Sequence, residues 1–221
     1  MTHTAPVTSQ TLAQTFVTPP GKTILLYGDK SVFPLSLTLA AHAISGGNSV
    51  VVVDGCNRFD VHLLTRFARE RNLNPEAFLR RAFVSRGFTC YQMEQAVVHR
   101  LPAFLGKLGS TTAMVFGLLD TFYDEQAPFR EVRQILTRIL QSFELMKQSG
   151  VSLLLVCLEL NVLPKERNRL FATLKQSMDS VYRLELKEDG KPWLLQEQMQ
   201  RISPGFAREN ASHLLDFIEG A

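Results

Sequence analysis

Two runs in this chain, Val50-Val51-Val52-Val53 and Leu153-Leu154-Leu155-Val156, are apolar at every position. A strand with one wet face alternates polar and apolar residues, so runs this uniform require cover on both faces, as in a parallel sheet between two helical layers. The surrounding pattern agrees. Strands are predicted over 23–27, 49–54, 82–85, 112–116 and 151–157, alternating with helices over about 34–46, 60–72, 91–107, 128–149 and 165–177. That alternation predicts an α/β fold with a central, mostly parallel sheet flanked by helices. Two alternating segments follow, 180–187 and 192–200, joined by Glu188-Asp189-Gly190-Lys191. Asp-Gly accepts positive φ, so these segments predict a C-terminal β-hairpin added antiparallel at one sheet edge.

Residues 1–20 are rich in Thr, Gln and Pro and end in Pro19-Pro20-Gly21, which predicts an N-terminal arm before a single core domain over 21–221. A hydrophobic content of 45% over 221 residues is ample for one core. No apolar run approaches the roughly 20 residues that span a bilayer, and the start has neither a basic nor an apolar leader region, so a soluble, intracellular (cytoplasmic) protein with no membrane partner is expected. Cys56, Cys90 and Cys157 are far apart without a Cys-x-x-Cys pair, which fits isolated reduced thiols and gives no metal site. The formal charge of +3 does not by itself demand nucleic acid.

The stretch Ile24-Leu25-Leu26-Tyr27-Gly28 reads as a buried strand closing on a glycine turn, with a helix after it. That is the layout of a phosphate-binding loop. A working loop needs Gly, four residues, then Gly-Lys-Ser/Thr: the second glycine lets backbone N–H groups close on phosphate, the lysine neutralises charge and the hydroxyl holds Mg²⁺. Counted from Gly28 those places hold Phe33, Pro34 and Leu35. Proline keeps the helix, because its missing N–H would be an orphan in the first turn, while the phosphate clamp is deleted.

From about Thr23 to Gly220 the pieces resemble the ATPase core of the RecA/RadA recombinase family. Tyr27-Gly28-Asp29 resembles the aromatic-Gly-Glu opening of its phosphate loop. Val52-Val53-Asp54 with Phe59, Leu63 and Leu64 is similar to its Ile-Asp-Thr-Glu strand and the helix that follows. Ser85-Arg86-Gly87-Phe88 resembles its Ala-Arg-Ala-Phe segment, and Met114-Val115-Phe116-Gly117 stands where its Walker B strand would stand. Asp179-Ser180-Val181-Tyr182-Arg183-Leu184 resembles the strand before its terminal hairpin. The resemblance implies a RecA-like P-loop NTPase fold.

The departures from the family carry the functional reading. The glutamate that polarises the attacking water would fall at Cys56, the Walker B aspartate at Gly117, and the γ-phosphate-sensing Gln near Leu158. Phosphoryl transfer is mostly positioning and electrostatics, so losing these groups together with the lysine removes the means of catalysis. A pseudo-ATPase with no catalytic residues and no cofactor is expected. Of the remaining polar groups, Asp54 is expected to cap its turn, Lys30 to be solvated, and His42, His62 and His99 to pack or face solvent.

Paralogues of this kind act as partners, which implies another RecA-fold subunit, a second copy or an active recombinase, as the binding partner. Family filaments form when a segment before the core docks an aromatic residue and a strand onto its neighbour, and Phe16, beside Leu12, is the candidate anchor; packing of Phe16 on its own core is the alternative. The family's DNA-lining loops fall at 121–128, which is acidic through Asp124 and Glu125, and at 159–168, with Lys165, Arg167 and the adjacent Arg169. Arg66, Arg69, Arg71, Arg80 and Arg81 form the densest basic run and could track phosphates. Three functions compete: a non-catalytic interaction or assembly partner in DNA recombination or repair, a nucleotide-binding protein or weak ATPase with unorthodox ligands, and an adaptor unrelated to DNA.

Overall fold

A computed structural model describes residues 5–6, 9–123, 127–160, 162–163, 165–187 and 192–197. The strands are β1 (Ala5–Pro6), β2 (Thr23–Gly28), β3 (Val50–Asp54), β4 (Ala82–Arg86), β5 (Thr112–Phe116), β6 (Ser152–Leu158), β7 (Ser180–Leu186) and β8 (Pro192–Glu197). They form one sheet in the order β1-β8-β7-β2-β6-β5-β3-β4. The six strands from β7 to β4 are parallel, and β8 and β1 are antiparallel additions. The α/β sheet and its C-terminal hairpin are therefore present, but the expected antiparallel addition of both hairpin strands is corrected: β7 joins the parallel sheet beside β2, and only β8 turns antiparallel. The hairpin is not the rim, however, because β1 pairs outside β8 through Ala5 and Gln196.

Period-two alternation sends Ile24, Leu26, Val52, Phe116 and Val156 into one apolar layer and Leu25, Tyr27, Val53, Val115 and Leu155 into the other. The first layer is closed by α1 (Ser9–Val17), α2 (Val32–Ser45), α3 (Val61–Glu70) and α4 (Pro75–Leu79). The second is closed by α5 (Cys90–Glu94), α6 (Leu101–Leu108), α7 (Phe129–Gln148) and α8 (Asn168–Gln176). Local chemistry sets the helix starts. Asp60 accepts a hydrogen bond from the His62 N–H at 2.8 Å, Asn74 accepts from Glu76 and Ala77 ahead of Pro75, and Thr89 accepts from Gln92. The single helix expected over 91–107 is continuous but widens into a π segment at Gln95–Arg100, where the Leu101 N–H reaches back to the Ala96 carbonyl. Pro102 explains this: without an N–H it cannot serve the carbonyl four residues back, and the register loosens before it.

The expected N-terminal arm is corrected. Residues 9–17 form α1, and Leu12 and Phe16, one helical turn apart, are both 0% exposed in the layer that also holds Leu39, Ala43 and Tyr182. A Thr/Gln-rich segment has little apolar surface, but two side chains at i and i+4 suffice when the sheet and α2 supply the other wall. The boundary at residue 20 therefore separates nothing: α1 is part of the core. The hairpin turn 188–191 and residues 198–200 of the expected last strand lie outside the described residues.

This burial sets an expectation for stability. Phe16→Ala should lower the unfolding free energy by about 3–5 kcal/mol in a urea titration followed by far-ultraviolet dichroism. A loss within the scatter of surface substitutions would mean that α1 is not part of the core.

Candidate functional site

In an open parallel sheet the ligand crevice lies beyond the carboxyl ends of neighbouring strands whose following helices go to opposite faces. Two such pairs are adjacent here. β2 leads to α2 in one layer while β6 leads to α8 in the other, and β3 leads to α3 while β5 leads to α7. The crevice is therefore bordered by Gly28, Leu158, Gly117 and Asp54, the positions where the sequence resemblance expects nucleotide chemistry.

The β2–α2 turn is only Asp29-Lys30-Ser31. Gly28 has φ +129° and needs to be glycine, since a Cβ there would lie 2.2 Å from the Leu184 carbonyl oxygen of β7. The Asp29 N–H then donates to that same oxygen at 3.0 Å. A helix start binds anions through unpaired N–H groups. In this turn they are committed: Ser31 donates its N–H (2.9 Å) and its hydroxyl (2.7 Å) to the Asp29 carboxylate. The N–H groups of Val32, Phe33 and Leu35 donate to Asp29, Lys30 and Ser31 carbonyls, and Pro34 has none to give. The hydrogen bonds from Ser31 hold Asp29 below the usual carboxylate range, so the turn carries a negative charge. Phe33 points into the core, edge-on to Phe116 with ring centroids 5.7 Å apart, and the Arg58 guanidinium lies 5.8 Å from the ring.

Across the crevice, Asp54 is 0% exposed. Its carboxylate accepts the N–H groups of Cys56 (3.2 Å), Arg58 (3.1 Å) and Phe59 (3.0 Å), and the Cys56 thiol lies 3.7 Å away. It caps the β3–α3 turn, and its oxygens face backbone rather than a ligand. The two positions that stand for lost carboxylates touch each other. Gly117 has φ +57°, and a Cβ on it would fall 2.4 Å from the Cys56 Cβ and 2.9 Å from the Asp120 carboxylate. Burial first, and then the charges of Asp120 and Asp54, push the Cys56 thiol far above its ordinary pKa, so it stays protonated and is no nucleophile. Burial likewise raises Asp120, against the pull of Arg58. Among the described residues no group of three His, Cys, Asp or Glu side chains is placed to hold a metal.

The expected DNA-contacting residues are dispersed. Arg167 is only 3% exposed, and its guanidinium donates to the Phe122 and Ala127 carbonyls at 2.6 Å each, so it staples the 159–168 segment to the β5–α7 loop and is withdrawn from any phosphate. Lys165 and Arg169 are exposed. Arg66 lies 3.8 Å from Glu70, Arg80 pairs with Glu76 at 2.7 Å, Arg81 donates to the Gly47 carbonyl, and Arg71 stacks on Phe67; Arg69 is exposed. The run is thus partly neutralised by its own neighbours. Phe16 is buried in its own core and offers no surface to a partner. Asp124 and Glu125 lie outside the described residues. His42 packs edge-on against Phe67, while His62 and His99 face solvent.

Sequence reasoning missed two features. One is a polar latch on β8: the buried Tyr27 hydroxyl donates to Glu197, and Lys175 donates to that hydroxyl at 2.9 Å while pairing with Glu197 at 2.5 Å. The other is the sheet edge at β4, which pairs only with β3 among the described residues. Beside it an apolar pocket of about 410 Å³ opens between β4 and α5–α6, bounded by Phe83, Val84, Leu101 and Phe104 and rimmed by Arg100 and Lys107. Val84 is 41% and Phe104 38% exposed. Pattern alone could not reveal this pocket, because it is made by two elements meeting. No helix among the described residues is long and apolar enough to cross a membrane. The chain matches no protein-family model and no curated protein.

Two outcomes follow from the crowded crevice. Gly117→Ala should cost about 1–3 kcal/mol by denaturant unfolding, and Cys56→Gly in the same chain should recover part of that loss; additive losses would show that the two sites do not collide. Asp120 has a raised folded pKa, so its favourable contribution is complete below the unfolded value and is lost as pH rises through the folded one. Asp120→Asn should therefore raise the melting temperature at pH 7 and give little gain near pH 3, whereas a gain independent of pH would remove burial of the charge as the cause.

Proposed function

We propose that this chain is a non-catalytic RecA-like protein that serves as an assembly partner in DNA recombination or repair, and that it acts as the acceptor in contact with another RecA-fold subunit. The observation that carries the reading is the β4 edge, which pairs only with β3 among the described residues, beside an apolar pocket. An edge strand offers a row of main-chain donors and acceptors, and a neighbouring pocket takes one aromatic or aliphatic anchor. This is the counterpart of the docking mode implied by the resemblance. Phe16 is the wrong candidate for the donor side, because it is spent inside its own core.

Charge favours a different protein over a second copy at this edge. Antiparallel self-pairing centred on Val84 would set Arg86 against Ala82 of the other copy and diagonal to its Arg80, and like charges so placed are unfavourable. With Arg100 and Lys107 on the pocket rim and Arg86 at the end of β4, the fitting partner strand carries an apolar anchor flanked by acidic residues. ATP plays no part in this function, since the N–H groups of the β2–α2 turn are committed to the Asp29 carboxylate and to the turn's own carbonyls.

The test is equilibrium binding of the full chain to the purified active recombinase of the same cells. Val84→Glu should weaken binding about thirtyfold or more, the scale of a hot-spot loss, while Arg66→Glu, in the groove beside Leu184 and Leu194, should leave it unchanged. In parallel, millimolar ATP-Mg²⁺ should leave the melting temperature where it is, although a ligand at about a hundred times its dissociation constant would stabilise by about 2.7 kcal/mol. Absence of recombinase binding, equal binding by the Val84 variant, or a clear ATP-dependent shift would each overturn the proposal.

A further inference from the structure

Pro34 and Leu35, which replace the lysine and hydroxyl residue of a phosphate loop, do not face the crevice alone. With Leu63, Leu184 and Leu194 they form the floor of a groove of about 740 Å³ that crosses α2 from α3 to β8. Arg66 and Arg71 stand along its α3 wall, both exposed. We infer that this groove is the docking site for a segment of the same chain, residues 209–219, so that the decayed loop has become a binding surface for the protein's own C-terminal region. The inference is independent of the partner reading, which concerns β4 on the far edge of the sheet.

Three observations carry it. The first is reach: β8 ends at Glu197, only three residues beyond Leu194, which itself lines the groove. Residues 198–208 can extend about 35 Å, so the following segment comes within range without moving any described element. The second is pattern: Leu214, Phe217 and Ile218 recur at helical spacing, the form in which a short amphipathic segment fills an apolar groove. The third is charge: Asp216 and Glu219 lie on that same segment and are complementary to Arg66 and Arg71. Of those cations, Arg66 has only a long contact of 3.8 Å to Glu70, and Arg71 stacks on Phe67 with its guanidinium 3.7 Å from the ring centroid. The apolar groove between α6 and α7 carries one cation, Arg138, and the Glu94 carboxylate already pairs with it, so that groove offers the acidic segment no comparable match.

The experiment places a photo-crosslinking benzophenone amino acid at position 217 of the full chain and maps the products by mass spectrometry. Crosslinks to peptides containing Pro34, Leu35, Leu63 or Leu194 are expected, formed within one chain when isotopically light and heavy copies are mixed. Arg66→Glu with Arg71→Glu should cut the yield about fivefold or more, given up to about 1 kcal/mol for each exposed pair and added repulsion, and Asp216→Arg with Glu219→Arg in that background should restore it. All four positions are surface residues or lie beyond the described core, so the exchange does not threaten the fold. Crosslinks to the α6–α7 groove, crosslinks between copies, no crosslinks at all, or a yield indifferent to the charge exchange would each overturn the inference. Recombinase binding does not enter the readout, so the two proposals fail separately.

Discussion

Sealing a parallel sheet between two apolar layers leaves its strands no polar outlet except at their ends, and the structure depends on how those ends are satisfied. Buried backbone groups must be paired. At β3 the fully buried Asp54 carboxylate gathers three N–H groups of the turn that follows. At β2 the Leu184 carbonyl of the neighbouring strand takes the Asp29 N–H, and Asp29 in turn takes Ser31. A carboxylate that holds a turn together by several charge-assisted hydrogen bonds is not available to a metal or a water molecule without dismantling the turn.

The positions where the resemblance expects catalytic groups are packed against their neighbours. Phe33 is packed on Phe116 from the opposite wall, and Cys56 fills the space that a side chain at Gly117 would need. A side chain at Gly117 would therefore meet Cys56 and Asp120 unless one of them gave way. The positive φ at Gly117 reinforces this, since it permits the close approach that brings Cys56 and Asp120 together. Pro34 and Leu35, turned toward α3 and β8, give the outer surface of α2 an apolar character that a phosphate loop would not have.

Polar contacts outside the crevice do a different job. Tyr27, Lys175 and Glu197 tie β8 to the parallel sheet across the α8 layer, and Arg183 bridges Glu159 (3.0 Å) and Glu185 (3.1 Å) at the same end. Burial leads the causes that raise the Tyr27 phenol, with its bond to Glu197 next, so it remains a neutral donor within this latch. Arg167 performs the equivalent service for the loops after β5 and β6. Arg167, which reads as a cationic binding group in sequence, is thus engaged in holding loops, and Arg183 in holding the end of β7.

The α/β class, the parallel strands from residue 23 to 158 and the C-terminal hairpin were legible because they are written in local pattern: all-apolar runs for strands covered twice, and helical spacing such as Ile135, Ile139, Phe143 in α7. What sequence could not decide is which surfaces meet. Leu12 and Phe16 carry the same pattern whether they serve a partner or their own core, and only the wall formed by α2 and the sheet makes them internal. A positive charge at Arg167 reads the same whether it faces DNA or two backbone carbonyls. The β4 edge, unpaired on its outer side among the described residues, follows from strand order, which depends on crossovers between residues far apart in the chain. Composition and periodicity report what each segment needs to bury, whereas the tertiary structure alone determines what it is buried against and which surfaces remain exposed.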